Sequence, residues 1–169
     1  MAIIETDITK NLSGGASNAN VNASLGGAIS STTIVDNTLN NLFAYASGAE
    51  SDAGSVKYRA FFVKNTHATL TYENAIVWIS SNTPSATTAV TIGLALETGS
   101  PIDTIVNEDT APDPAVTFTT ADGVLNALNV GSLAPGASKG IWVKWTITAG
   151  TVAVNDTMTI EVRGETQAG

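Results

Sequence analysis

The chain has 169 residues, with 15 Asp and Glu against 7 Lys and Arg and a formal net charge of −8. It contains no cysteine and one histidine, which excludes a disulfide framework, a thiolate zinc site and a thiol nucleophile. The acidic balance argues against a surface that grips nucleic acid or anionic lipid, while 43 % apolar content in 17.2 kDa suffices for one packed core.

The N-terminal residues MAIIETDITKN carry acids within the first seven positions and no long apolar run. They read as neither a signal peptide nor a membrane helix, so synthesis in a cytosol is the expectation. The Asn-x-Ser/Thr triplets at Asn11, Asn22 and Asn155 are then chance matches in an Asn/Thr-rich chain. Residues 11–33 are rich in Gly, Ser, Asn and Ala, hold no charge and lack bulky anchors, which predicts an extended arm or linker. The pairs Gly14-Gly15 and Gly26-Gly27 mark flexibility there, since no Lys-Ser/Thr follows to make a phosphate loop. Some twenty residues of such an arm would span roughly 60 Å if fully extended, enough to reach a neighbouring subunit.

Residues 34–45 restore apolar character with Leu39, Leu42, Phe43 and Tyr45, and a polar break, SGAESDAGS, follows. They either add a strand or short helix to the body of the protein or contact a neighbour. This divides the chain into an arm and strand/linker segment, 1–54, and a folded domain, 55–169.

From residue 56 onward, short strands alternate with turn chemistry. Strands are predicted over 57–64, 74–81, 89–96, 140–148 and 157–163, with shorter candidates at 115–119 and 124–130. In 89–96, Val90, Ile92, Leu94 and Leu96 share one face, the period-two signature of a strand. Residues 97–115 form a long irregular acidic loop. Pro84, Pro101, Pro112, Pro114 and Pro135 all fall outside the main strand runs, as a residue that cannot donate to a ladder should. In Leu133-Ala134-Pro135-Gly136, proline and glycine supply the two central conformations of a type II turn. The pattern predicts an all-β fold: an antiparallel sandwich of immunoglobulin-like or jelly-roll type with an extended N-terminal arm.

Alternation places Ile141, Val143, Trp145 and Ile147 on the core face of their strand, and Trp142, Lys144, Thr146 and Thr148 on the other. Trp142 is then either a partner anchor or sugar-stacking platform, or is covered by the chain's own arm. Trp78 lies on a strand apolar on both sides, which leaves its face open. Lys57, Arg59, Lys64, Lys139, Lys144 and Arg163 lie in or beside three strands, whereas residues 65–138 contain seven acids and no Lys or Arg. If those strands share a sheet, one face is mildly basic and the opposite end acidic, a polarity suited to docking.

No catalytic constellation emerges. His67 sits in a polar turn near only Thr66, Thr69 and Glu73, and reads as a turn residue. Asp103, Glu108, Asp109 and Asp113 lack the spacing and glycine of a calcium loop, so they read as a solvated acidic loop. No cofactor or metal ligand set is assigned.

Two longer strings, YRAFFVKNTHATLTYENAIVWISSNTP (58–84) and GSLAPGASKGIWVKWTITAGTVAVNDTMTIEVRGET (131–166), resemble a family of small virion proteins of tailed bacteriophages. The likeness spans about the C-terminal two-thirds and matches head decoration (cement) proteins first. It implies a non-enzymatic structural protein on the outer surface of the capsid, made in the host cytoplasm. Its partners would be the major capsid protein and copies of itself, with a trimer favoured, and neither nucleic acid nor membrane. The candidate partner interface comprises Trp142, Lys144, Leu39, Leu42, Phe43 and Tyr45. A tail, neck or spike component, or a carbohydrate-binding module displaying tryptophan, are the alternatives.

Overall fold

The computed structural model describes residues 2–82, 85–150 and 157–166, and Pro84 and Asn155 lie outside them. Among these residues the expected all-β antiparallel sandwich forms from two main sheets. The larger has the order β1 (Ile8–Leu12), β3 (Ser55–Asn65), β8 (Ser138–Ile147) and β5 (Thr88–Leu94); the smaller has β7 (Leu128–Leu133), β4 (Tyr72–Ser81) and β9 (Thr159–Thr166). A two-stranded ribbon, β2 (Gly26–Gly27) with β6 (Ile102–Thr104), forms a separate small sheet packed on the larger one. Within the seven strands of the main sheets, the fifth joins the smaller sheet and the sixth the larger. That is the reverse of the immunoglobulin constant-type order.

The run 57–64 becomes the long β3 because both of its faces are apolar and both are covered. Odd positions Phe61 and Val63 join Val77, Ile79, Val90, Ile92, Ile141 and Val143 in the core between the sheets. Even positions Tyr58, Ala60 and Phe62 form a second core with Trp142, Ala95, Ile102 and Ile105. Leu25, Ile29, Val116 and Phe118 pack against this second core from outside. The molecule therefore has three layers along β3 and β8, with irregular chain as the third.

That layer corrects the expectation of an arm running free. β1 pairs with the upper half of β3, from Ile8 opposite Asn65 to Leu12 opposite Phe61. Beyond it, small polar side chains replace a ladder. Ser13 Oγ donates to the Ala60 carbonyl at 2.9 Å and accepts from Gly26 N at 3.1 Å, and Asn11 Nδ2 donates to the Ser30 carbonyl at 3.1 Å. Ser13, Ser24 and Ser30 are all buried. The composition that suggested a flexible arm is the one that lets a chain pack close against a sheet while satisfying its own backbone.

The predicted strands otherwise stand, with shifted ends. Among the described residues, 115–119 pair through a single Ile92–Thr119 bridge, and residues 124–126 form a 3-10 turn ahead of β7. The expected turn is present: Gly136 has φ +77°, and Ala137 N donates to the Ala134 carbonyl at 2.9 Å. Buried Asn65 ties it to the β3–β4 connection, with Nδ2 donating to the Leu70 and Leu133 carbonyls at 2.8 and 2.9 Å. His67 is a turn residue here, its Nδ1 accepting from the Thr69 and Leu70 amides.

Candidate functional site

Below the end of β1, the lower half of β3 has no strand neighbour on that side, and other segments fill the gap. The Glu108 carbonyl accepts from Tyr58 N at 2.7 Å, and the Ser24 carbonyl from Ala60 N at 2.9 Å. Here alternation carries Lys57 and Arg59 onto the same side as Phe61 and Val63, where they are 4 % and 2 % exposed. Two buried cations need partners in place. Lys57 Nζ lies 2.5 Å from Glu50 Oε1 and 3.0 Å from Glu108 Oε1, while Arg59 Nη2 pairs with the other oxygen of Glu108. Arg59 also donates to the Tyr58 carbonyl at 3.2 Å and to Asn22 Oδ1 at 3.3 Å, and its guanidinium carbon lies 5.7 Å from the Phe43 ring centre.

Glu50 is placed by the short helix α1 (Gly48–Ala53), whose Ser47 cap forms a capping box. Ser47 Oγ accepts from Glu50 N at 3.2 Å, and Glu50 Oε2 accepts from Ser47 N at 2.6 Å, leaving Oε1 for Lys57. The Lys57 and Ser47 contacts hold the Glu50 carboxyl down at a pKa of about 2. Burial acts to lower the Lys57 pKa, but the two carboxylates outweigh it and leave the ammonium above its ordinary value. The cluster is internally neutral. It clamps α1 and the 106–110 loop onto β3, and it floors a cleft of about 450 Å³ lined also by Leu25, Ala44, Tyr45 and Val106.

These facts redistribute the candidate interface. Trp142 is 0 % exposed, sealed beneath the ribbon and residues 24–29, so it is neither an anchor for a partner nor a sugar platform. Its Nε1 has no hydrogen-bond partner among the described residues. Leu42 is likewise buried, in the inter-sheet core. Phe43 is half-buried, edge-on to Trp145 at 5.5 Å between ring centres, which makes it a link between Trp145 and Arg59. Trp145 itself packs at the rim of the core rather than inside it. Lys144 is partly exposed beside Trp142. Leu39 and Tyr45 remain, at 76 % and 79 % exposed, and Val106 at 84 % joins Tyr45 at the mouth of the cleft.

The mildly basic face also requires correction. Lys57 and Arg59 are neutralised internally, Lys139 is turned to the Glu97 carbonyl at 2.9 Å, and Arg163 belongs to the other sheet, its guanidinium carbon 6.0 Å from the Trp78 ring centre. The acidic loop is only partly a solvated one. Glu97 accepts from Asp103 N at 2.8 Å, Asp103 accepts from Asp113 N at 2.9 Å, and Glu108 closes the ion cluster. No group of three or more His, Asp or Glu side chains is arranged to hold a metal ion among the described residues, and no helix there is long and apolar enough to cross a membrane. The sequence carried one unread signal for the cluster, the Ser47-x-x-Glu50 capping-box pattern. Glu108 had none, because its pairing depends on a fold-back of fifty residues. Comparison with protein-family models, with curated proteins and with solved structures finds no match to this chain.

Proposed function

We propose that this chain is a non-enzymatic structural protein of a bacteriophage particle, a head decoration protein that binds the outer shell and ties major capsid subunits together. The observation that supports this reading most is the presence of exposed apolar side chains beside segments held by buried ion pairs. Leu39, Tyr45 and Val106 project from a surface of net negative charge, and the segments carrying Tyr45 and Val106 are fastened to β3 by the buried Lys57–Glu50–Glu108–Arg59 cluster. Exposed apolar groups on segments held to the sheet by ion pairs suit a docking contact, and weak contacts repeated over a lattice sum to strong attachment. The resemblance of residues 58–84 and 131–166 to phage virion proteins supplies the class of partner.

The test is binding of the purified protein to expanded heads that lack it, followed by heat and osmotic challenge. Bound protein on the outer shell that raises particle resistance, with binding weakened in Leu39→Ser and Tyr45→Ser, is the expected result. Particles equally resistant with and without the protein, or electron-microscopic density only in the tail or neck, would overturn the assignment to the head.

A further inference from the structure

We infer that β9 is a self-association edge, which pairs antiparallel with β9 of a second copy about a two-fold axis through Val162. β9 is an outer strand of the smaller sheet, hydrogen-bonded to β4 on one side. On its other side no described residue supplies a backbone partner; Ile3 N, near the core that β9 also joins, donates to the Thr166 hydroxyl at 3.1 Å, at the strand's last residue. The inward-facing residues show the same incompleteness. Val77 and Ile79 of β4 are fully buried, yet Val162 and Ile160 opposite them are only partly covered. A strand with a free ladder edge and half-covered apolar residues is a template for another strand.

The outward-facing side chains select the strand that fits. Glu161, Arg163 and Glu165 alternate in sign along the exposed face. A run of like charges would repel an identical strand, and here the signs alternate. Here, centring the axis on Val162 sets Glu161 opposite the second copy's Arg163, twice by symmetry, and keeps residues 158–166 of both chains in register. Centring it on Arg163 would oppose Arg to Arg and Glu to Glu, which is destabilising. Glu165 already accepts from Asn74 Nδ2 at 3.0 Å, whereas Glu161 has no ion-pair partner among the described residues. The product is one continuous six-stranded sheet in a closed, two-fold dimer. This pairing holds whether or not the protein binds a capsid.

Sedimentation equilibrium over a micromolar to millimolar series should give a species of twice the 17.2 kDa chain mass. Arg163→Glu or Glu161→Arg alone should raise the dissociation constant at least about tenfold, and the double reversal should restore it. A Val162→Cys variant, in a chain that otherwise has no cysteine, should form an intermolecular disulfide on mild oxidation, while Glu165→Cys should not. A monomer at every concentration, a trimer, a dimer indifferent to the single reversals, or a double reversal that fails to restore pairing would overturn the inference. Unlike the assignment to the head, it is tested entirely without particles.

Discussion

The β-carbon that Gly26 lacks would stand 3.1 Å from the Cη2 of Trp142 and would overlap the carbonyl oxygen of Asp103. Gly26 also has φ +92°, a conformation that suits glycine. This contact is where the N-terminal segment, the β6 ribbon and the second core meet. Gly26→Ala should therefore destabilise the fold by about 3 kcal/mol, from backbone strain and overpacking together. The check is a shift in urea midpoint at unchanged m-value. Gly15, also at positive φ but with nothing near its missing β-carbon, should respond less to the same change, through strain alone.

Burial of Trp142 makes it a stability residue. Trp142→Ala should cost about 3–5 kcal/mol. Trp142→Phe should cost clearly less, because most of the ring remains and an unpaired Nε1 is removed with it. Chemical denaturation of the two variants measures the order. Equal stability of Trp142→Ala and the parent would mean that the tryptophan is not enclosed.

Deletion of residues 1–33 should abolish cooperative unfolding rather than leave an intact sandwich. It removes β1 from the edge of β3 and strips Leu25 and Ile29 from the second core. Circular dichroism and thermal melts of the truncated chain decide this, and an unchanged melting temperature would show the segment to be dispensable.

The ion cluster predicts both a mutational and a pH response. Glu108→Gln leaves Lys57 and Arg59 with one carboxylate between them and should cost about 3 kcal/mol. For Glu50 the folded pKa, about 2, lies below the ordinary value of 4.5. Its stabilising contribution is therefore complete above about pH 4.5 and is lost as pH falls through 2. For Lys57 the folded value is raised, so its contribution is present below the ordinary 10.5 and disappears as pH rises past the folded value. Unfolding free energies of the parent and of Glu50→Gln, measured from pH 7 downward, should converge only toward pH 2.

Strand-level features were legible in the chain because they depend on neighbours in sequence. The alternation in 57–64, 89–96 and 140–148 predicts β3, β5 and β8, and Pro135-Gly136 predicts the turn that Asn65 holds. The apolar run 34–45 marks Leu39 and Tyr45 as interface candidates, although the same reading also selects the buried Leu42 and the half-buried Phe43.

The sequence by itself determined the fold class, since period-two alternation and turn residues act locally. Only the tertiary structure decided the value of the few charges and of the charge-free segment. A face assigned by alternation says which way Trp142 points, and it leaves open whether solvent or residues 24–29 lie there. Likewise Lys57 and Arg59, which look like a basic surface in the chain, are buried and neutral as a group because Glu50 and Glu108 are folded onto them. Coverage and charge pairing between distant segments are properties of packing, and no short window of residues contains them.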